Sequence, residues 1–183
     1  MGELTSTARD VIPLFSAEEI ACRVDGLADG VASAMIDPFT MVVVLKGAFV
    51  FGADLLRALS RRGRHPRIEF VRLASYGDAL QSSGTVRLRG APPTGIEGRS
   101  VLIVDDVLDS GLTLREAERL NRDCGAGEIR TCVLVRKEGK QKVPTPVDFV
   151  GFTIGDRFVV GYGIDCAERY RDLPYLGAVD TPG

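Results

Sequence analysis

Two short apolar runs, Met41–Leu45 and Val101–Val104, constrain this chain more than any other feature of its sequence. Both are rich in β-branched residues and unbroken by polar ones, as expected of strands buried on both faces. Such strands belong to parallel sheets, whose neighbours are joined by long crossovers, usually helices. The surrounding segments provide those helices. Ser16-Ala-Glu-Glu19 has capping-box spacing, and Ile20, Val24, Leu27 and Val31 recur at helical intervals, which predicts a helix to about Met35, closed by Pro38. A second helix is predicted over Phe49–Ser60 and a third from about Thr113 to Cys124, with Gly125 in the C-cap place. Ile68–Leu73 and Ile129–Val135 complete four core strands, so the fold class is α/β with a central parallel sheet flanked by helices.

The chain has 183 residues, enough for a single domain. Its core is expected over about 16–135, and the strand-like remainder, about 137–179, is expected to form a small hood with the N-terminal residues. Between Ala74 and Pro93 the composition is that of a long loop holding one short strand, Thr85–Arg89; connections this long are usually lids or binding loops.

Composition then excludes several chemistries. Lys and Arg number 23 and Asp and Glu 25, a formal charge of −2 that gives no bulk attraction to nucleic acid or an anionic membrane. His65 is the only histidine, so acid–base work falls to carboxylates or lysines. Cys22, Cys124, Cys132 and Cys166 form no C-x-x-C pair, which argues for free thiols in a reducing cytosol rather than zinc or thioredoxin chemistry. No apolar run approaches the ~20 residues that span a bilayer, and the N-terminus lacks a signal peptide's features, so the expected location is cytoplasmic.

The segment Val101-Leu-Ile-Val-Asp-Asp-Val-Leu-Asp-Ser-Gly-Leu-Thr113 carries the chemistry. An apolar strand ends in Asp105 and Asp106, and Asp109 precedes a Ser-Gly-Leu-Thr turn into a helix. Ligands of open α/β sheets bind at this edge. Free N–H groups from Ser110 to Thr113 at a helix N-terminus favour a phosphate; Gly111 permits its close approach and the two hydroxyls add donors. Carboxylates beside a phosphate cradle repel the ligand unless they serve ribose hydroxyls or a divalent cation. On the residues alone, plainer roles stay open: Asp109 as an N-cap, and Asp105 and Asp106 as a solvated strand end. Neither a P-loop nor a dinucleotide-binding turn is present, since Gly161-Tyr-Gly163 lacks the third glycine.

This segment resembles the phosphoribosyl-pyrophosphate (PRPP) motif of type I phosphoribosyltransferases, and the chain as a whole is similar to their hypoxanthine-guanine branch. Four blocks agree in order and spacing: Leu45-Lys46-Gly47; Ser75-Tyr76-Gly77; Val101–Thr113; and Val147–Phe152 running on to Phe158–Asp165 and Tyr170–Pro174. The resemblance implies the type I fold and purine salvage, in which phosphoribosyl passes from PRPP to N9 of hypoxanthine or guanine, releasing pyrophosphate, with magnesium as cofactor. Carried onto these residues, Ser110, Gly111, Leu112 and Thr113 hold the 5′-phosphate, and Asp105 and Asp106 meet the ribose and magnesium. Asp109 is the general base at N7. Lys46, Gly47 and Arg171 serve pyrophosphate, and the Leu45–Lys46 bond can be cis. Lys137 reads O6, Phe158 stacks on the purine and the Val159 backbone meets its edge. Asp165 sits near the base edge and metal shell, while Ser75 and Tyr76 belong to a closing loop. A homodimer or homotetramer is expected.

Three positions depart from the family pattern: Asp105 replaces a usual Glu, Cys166 a usual Tyr, and Arg136 a frequent Asp. Selectivity among hypoxanthine, guanine and xanthine stays open. A different class also remains, a PRPP-sensing regulator that binds nucleic acid through Arg57, Arg61, Arg62, Arg64, His65 and Arg67. Retained Asp109 and Lys137 favour the enzyme.

Overall fold

The computed structural model describes residues 11–76 and 85–179. Five parallel strands and one antiparallel edge strand form the main sheet. In chain order they are β2 (Phe39–Leu45), β3 (Arg67–Tyr76), β4 (Thr85–Leu88), β5 (Ser100–Leu108), β6 (Ile129–Lys137) and β7 (Phe149–Ile154), arranged β4-β3-β2-β5-β6-β7 with β4 antiparallel. A second, three-stranded antiparallel sheet joins β1 (Ile12–Phe15), β9 (Leu176–Val179) and β8 (Phe158–Val160) in the order β1-β9-β8. This second sheet is therefore built from both ends of the described chain.

Alternation along the central strands divides the core. Met41 and Val43 of β2, with Leu102 and Val104 of β5, pack on one face against α1 (Ala17–Ala34) and α2 (Phe49–Ser60). Val42, Val44, Val101 and Ile103 face the other way, against Leu114, Ala117 and Leu120 of α3 (Leu112–Asp123). Successive side chains of a strand point to opposite faces, so an unbroken apolar run supplies both layers. The capping box of α1 forms as the sequence predicts: Glu19 N–H donates to Ser16 Oγ, and Ser16 N–H donates to the Glu19 carboxylate.

Three boundaries differ from expectation. β5 does not end before its carboxylates but continues through Asp105 and Asp106 to Leu108, because Asp105, Val107 and Leu108 remain paired with β6. β7, expected in the hood, is a sixth strand of the main sheet, parallel to β6; Phe149 packs there against Gly30 of α1. β3 runs on to Ser75 and Tyr76, whose partners are Val86 and Thr85 of β4. The closing loop expected to follow them falls at 77–84, outside the described residues.

Candidate active site

Three elements meet where the purine contacts were expected. Lys137 is the last residue of β6, Asp109 follows β5, and Phe158 opens β8. Lys137 Nζ donates to Asp109 Oδ2 at 2.7 Å and stands 5.8 Å from the centre of the Phe158 ring. The lysine side chain is 10% exposed, whereas the Asp109 side chain is 50% exposed and Phe158 also opens to solvent. Val159, one residue on, is buried and turns its side chain into the core. A flat ligand stacked on Phe158 would thus meet one cationic donor and one anionic acceptor side by side. Gln141, which the sequence did not single out, steadies them by donating to the Lys137 carbonyl at 2.6 Å.

The turn after β5 is built around Gly111. It is the N-cap of α3, in the left-handed conformation at φ 84°, and no side chain caps the helix. Asp109 is therefore not an N-cap, and the plainer role for it falls away. Ser110 Oγ reaches the Leu112 N–H only at 3.4 Å, and the first intrahelical bond joins Arg115 N–H to the Gly111 carbonyl. Leu112 and Thr113 lie in the first turn of α3, where N–H groups have no carbonyl partner within the helix, as an anion site requires. The segment after β6 lies close over this turn: Lys142 N–H donates to the Ser110 carbonyl at 2.9 Å. Any Cβ at Gly111 would also strike the Thr145 hydroxyl, so glycine is required for space as well as for φ.

The residues expected to serve pyrophosphate, Lys46, Gly47 and Arg171, converge from two segments. Leu45–Lys46 is a cis peptide bond, as the family resemblance implies. At Gly47 a Cβ would collide with the Asp106 carboxylate, so the loop lies directly against β5. Gly163, at φ 97°, seals the same place from the hood: a Cβ there would sit 2.5 Å from the Gly47 carbonyl oxygen. Arg171 donates to the Gly163 carbonyl at 2.7 Å and pairs with Asp165 at 2.7 Å. Lys46 pairs with Glu168 at 2.8 Å, and Glu168 also lies 3.3 Å from Arg171. Those two cations, the Lys46 hydrogen bond foremost, hold the Glu168 carboxyl below the usual carboxylate range.

The carboxylates expected to share magnesium are not gathered into one cluster. Among the described residues no group of three His, Cys, Asp or Glu side chains is placed to hold a metal ion. Asp105 is 3% exposed and accepts the Asp106 N–H at 3.0 Å; burial, and after it the charge of Asp106, push its carboxyl well above the usual value. Asp165 has one oxygen on Arg171 and the other on the Glu168 N–H at 2.8 Å. Hard carboxylate oxygens that stand singly still suit magnesium, which is usually held by one or two carboxylates together with substrate oxygens and water.

A family model described as the phosphoribosyl transferase domain matches residues 14–167. The chain belongs to the phosphoribosyltransferase family. Among its relatives, a hypoxanthine-guanine phosphoribosyltransferase of Dictyostelium discoideum is 41% identical over 172 residues, covering 93% of this chain and 94% of that one. A Bacillus subtilis protein of the same name is 41% identical over 167 residues, covering 91% of each. Among solved structures, a hypoxanthine phosphoribosyl transferase of Trypanosoma cruzi superposes with a TM-score of 0.86 at 34% identity, covering 96% of this chain and 94% of that one.

Within this phosphoribosyltransferase the arginine cluster proves to be neutralised. Arg57 pairs with Asp54, Arg61 and Arg62 with Asp25, Arg62 also with Asp29, Arg64 with Asp37, and Arg67 with Glu69. A patch so matched by acids lacks the field a nucleic-acid backbone needs, which removes the regulator's main support. Arg136 donates to Thr153 of β7 at 3.2 Å, and Cys166 exchanges backbone hydrogen bonds with Arg169 in a tight turn. No helix among the described residues is long and apolar enough to cross a membrane. Gln141, Thr145, Gly163 and Glu168 are the site residues that sequence reasoning missed. Only Gly163 carried a signal, the Gly-Tyr-Gly repeat set aside as an incomplete dinucleotide turn.

Proposed function

We propose that this chain transfers the 5-phosphoribosyl group from PRPP to N9 of hypoxanthine, and of guanine, giving the nucleotide and pyrophosphate. The observation that carries this reading is the Lys137–Asp109 pair beneath Phe158. A 6-oxopurine offers an acceptor at O6 beside a ring N7–H, the complement of a lysine donor beside a carboxylate acceptor. The purine splits the ion pair and satisfies both halves: Lys137 turns to O6 and Asp109 accepts from N7, with Phe158 on the ring face and the Val159 backbone at its edge. Adenine would present an amino group to Lys137, donor against donor, and is refused on that ground.

In the reaction N9 attacks C1 of the ribose, the C1–O bond to pyrophosphate breaks, and Asp109 takes the proton the purine ring must shed. Ser110, Gly111, Leu112 and Thr113 hold the 5′-phosphate at the start of α3. Asp106, against Gly47, faces the ribose hydroxyls, with Asp105 buried behind it. Lys46, Gly47 and Arg171 receive pyrophosphate. Ser75 and Tyr76 are assigned to the closing loop. Magnesium would be held by Asp106 and Asp165, and when bound it offsets charge on the leaving pyrophosphate. The sheet and the hood act as one domain, since Gly163 and Gly47 make a single floor. The four free thiols suit a cytoplasmic enzyme, and the half-exposed Phe49 and Phe70 suit burial in a homodimer or homotetramer, which light scattering on a sizing column would test.

The deciding experiment is a steady-state assay with hypoxanthine, guanine, xanthine and adenine, each with PRPP and magnesium. Nucleotide is expected from hypoxanthine and guanine and none from adenine. Failure of all four bases to yield nucleotide would end the enzyme reading.

A further inference from the structure

The pyrophosphate end holds one charged group that the reaction as derived does not use. The Glu168 carboxylate spans both cations, with Oε1 at 2.8 Å from Lys46 Nζ and Oε2 at 3.3 Å from an Arg171 nitrogen. Its backbone takes an uncommon course to get there. Ala167 and Glu168 are both left-handed, at φ 52° and 62°, a region L residues with a side chain seldom enter. The turn is fastened by the Glu168 N–H on Asp165 and by the paired Cys166 and Arg169 backbones. One anion bridging two cationic donors is the arrangement that a pair of pyrophosphate oxygens would require. Glu168 does not saturate the arginine, whose Nε is buried without a partner. The Glu168 side chain is 65% exposed, whereas Asp165 on the same arginine is 29% exposed. A carboxylate at that exposure can swing into water at little desolvation cost, while Asp165 stays in place.

We propose that Glu168 is an internal surrogate for pyrophosphate: it holds Lys46 and Arg171 in register before PRPP arrives, is displaced by the diphosphate, and returns as pyrophosphate leaves. This rests on the assignment of Lys46 and Arg171 to pyrophosphate. Glu168 is a positioning residue, acting through the two cations and touching no reacting atom. Competition from the surrogate lowers the affinity for pyrophosphate and so speeds its release. The sign of the effect separates this role from a structural one, because a residue that merely braced the site would weaken pyrophosphate binding when removed.

The test is calorimetric titration of the full chain with pyrophosphate in the presence of magnesium, on the parent protein and on Glu168→Gln, Glu168→Ala and Lys46→Ala. Both Glu168 variants are expected to bind pyrophosphate tighter, by roughly two- to fivefold as suits an exposed ion pair, and Lys46→Ala to bind it more weakly. Unchanged or weaker binding in both Glu168 variants, with Lys46→Ala still impaired, overturns the surrogate and leaves the site assignment standing. Unimpaired binding in Lys46→Ala overturns the assignment, and the surrogate with it.

Discussion

Two of the ion pairs in the site are almost equal in length but differ in burial. Lys137–Asp109 closes at 2.7 Å with a lysine 10% exposed, and Lys46–Glu168 closes at 2.8 Å with partners 46% and 65% exposed. Distance alone would rank them together. Burial of the lysine separates them, because water and salt reach both partners of the outer pair but mainly the half-exposed carboxylate of the inner one. On the proposed function, the inner pair opens for a ligand that replaces both of its contacts, which is a device for selectivity. On the same proposal the exposed outer pair gives way to pyrophosphate, which suits a leaving group that must come and go.

The largest effect that would break this contrast is expected at the inner pair. Asp109→Asn should lower kcat by about 10²- to 10⁴-fold, the range for loss of a general base, with PRPP binding held within about twofold. Turnover unchanged at saturating substrates would remove Asp109 from the chemistry. Next, Lys137→Ala should cut kcat/KM for hypoxanthine by roughly 10- to 100-fold, the scale of one hydrogen bond to a charged group. PRPP dependence should scarcely move, and an equal rise in both KM values would contradict the assignment of Lys137 to the base. A third change attacks the floor that the two ends share. Gly163→Ala forces a Cβ toward the Gly47 carbonyl at a positive φ and should destabilise the fold by about 1–3 kcal/mol, read as a lower Tm together with a raised KM for PRPP. The smallest effect sharpens the contrast from the outside: Glu168→Gln should shift Tm by no more than about 1 °C, as for other exposed pairs. A large loss of stability there would mean that the outer pair is structural.

Local signals made much of the fold legible. The capping box of α1, the span of α2 and the two-faced strands follow from spacing that one turn or one strand imposes on its own residues. β7 did not, because Phe149–Ile154 reads as a strand wherever it pairs, and only the packing of Phe149 on Gly30 of α1 and the ladder to β6 settle its sheet. The same division runs through the site. Asp109 to Thr113 is one contiguous motif and could be read directly. Lys137 rested on its spacing in a family pattern, and its partner stands 28 residues away. Glu168 meets Lys46 across 122 residues, a contact no local pattern encodes. Asp105 and Asp106 differ for a related reason: adjacent carboxylates in sequence look equivalent, whereas the continued β5 ladder buries Asp105 and leaves Asp106 against Gly47.

That ladder also fixes a length. With Asp105 opposite Val133 and Val107 opposite Val135, the backbone on either side of the acidic pair cannot slide or rotate without unzipping hydrogen bonds in the middle of the sheet. The strand behaves as a rigid rail, and the adjustable parts at its end are the side chains themselves, one methylene shorter at Asp105 than the glutamate usual at this place.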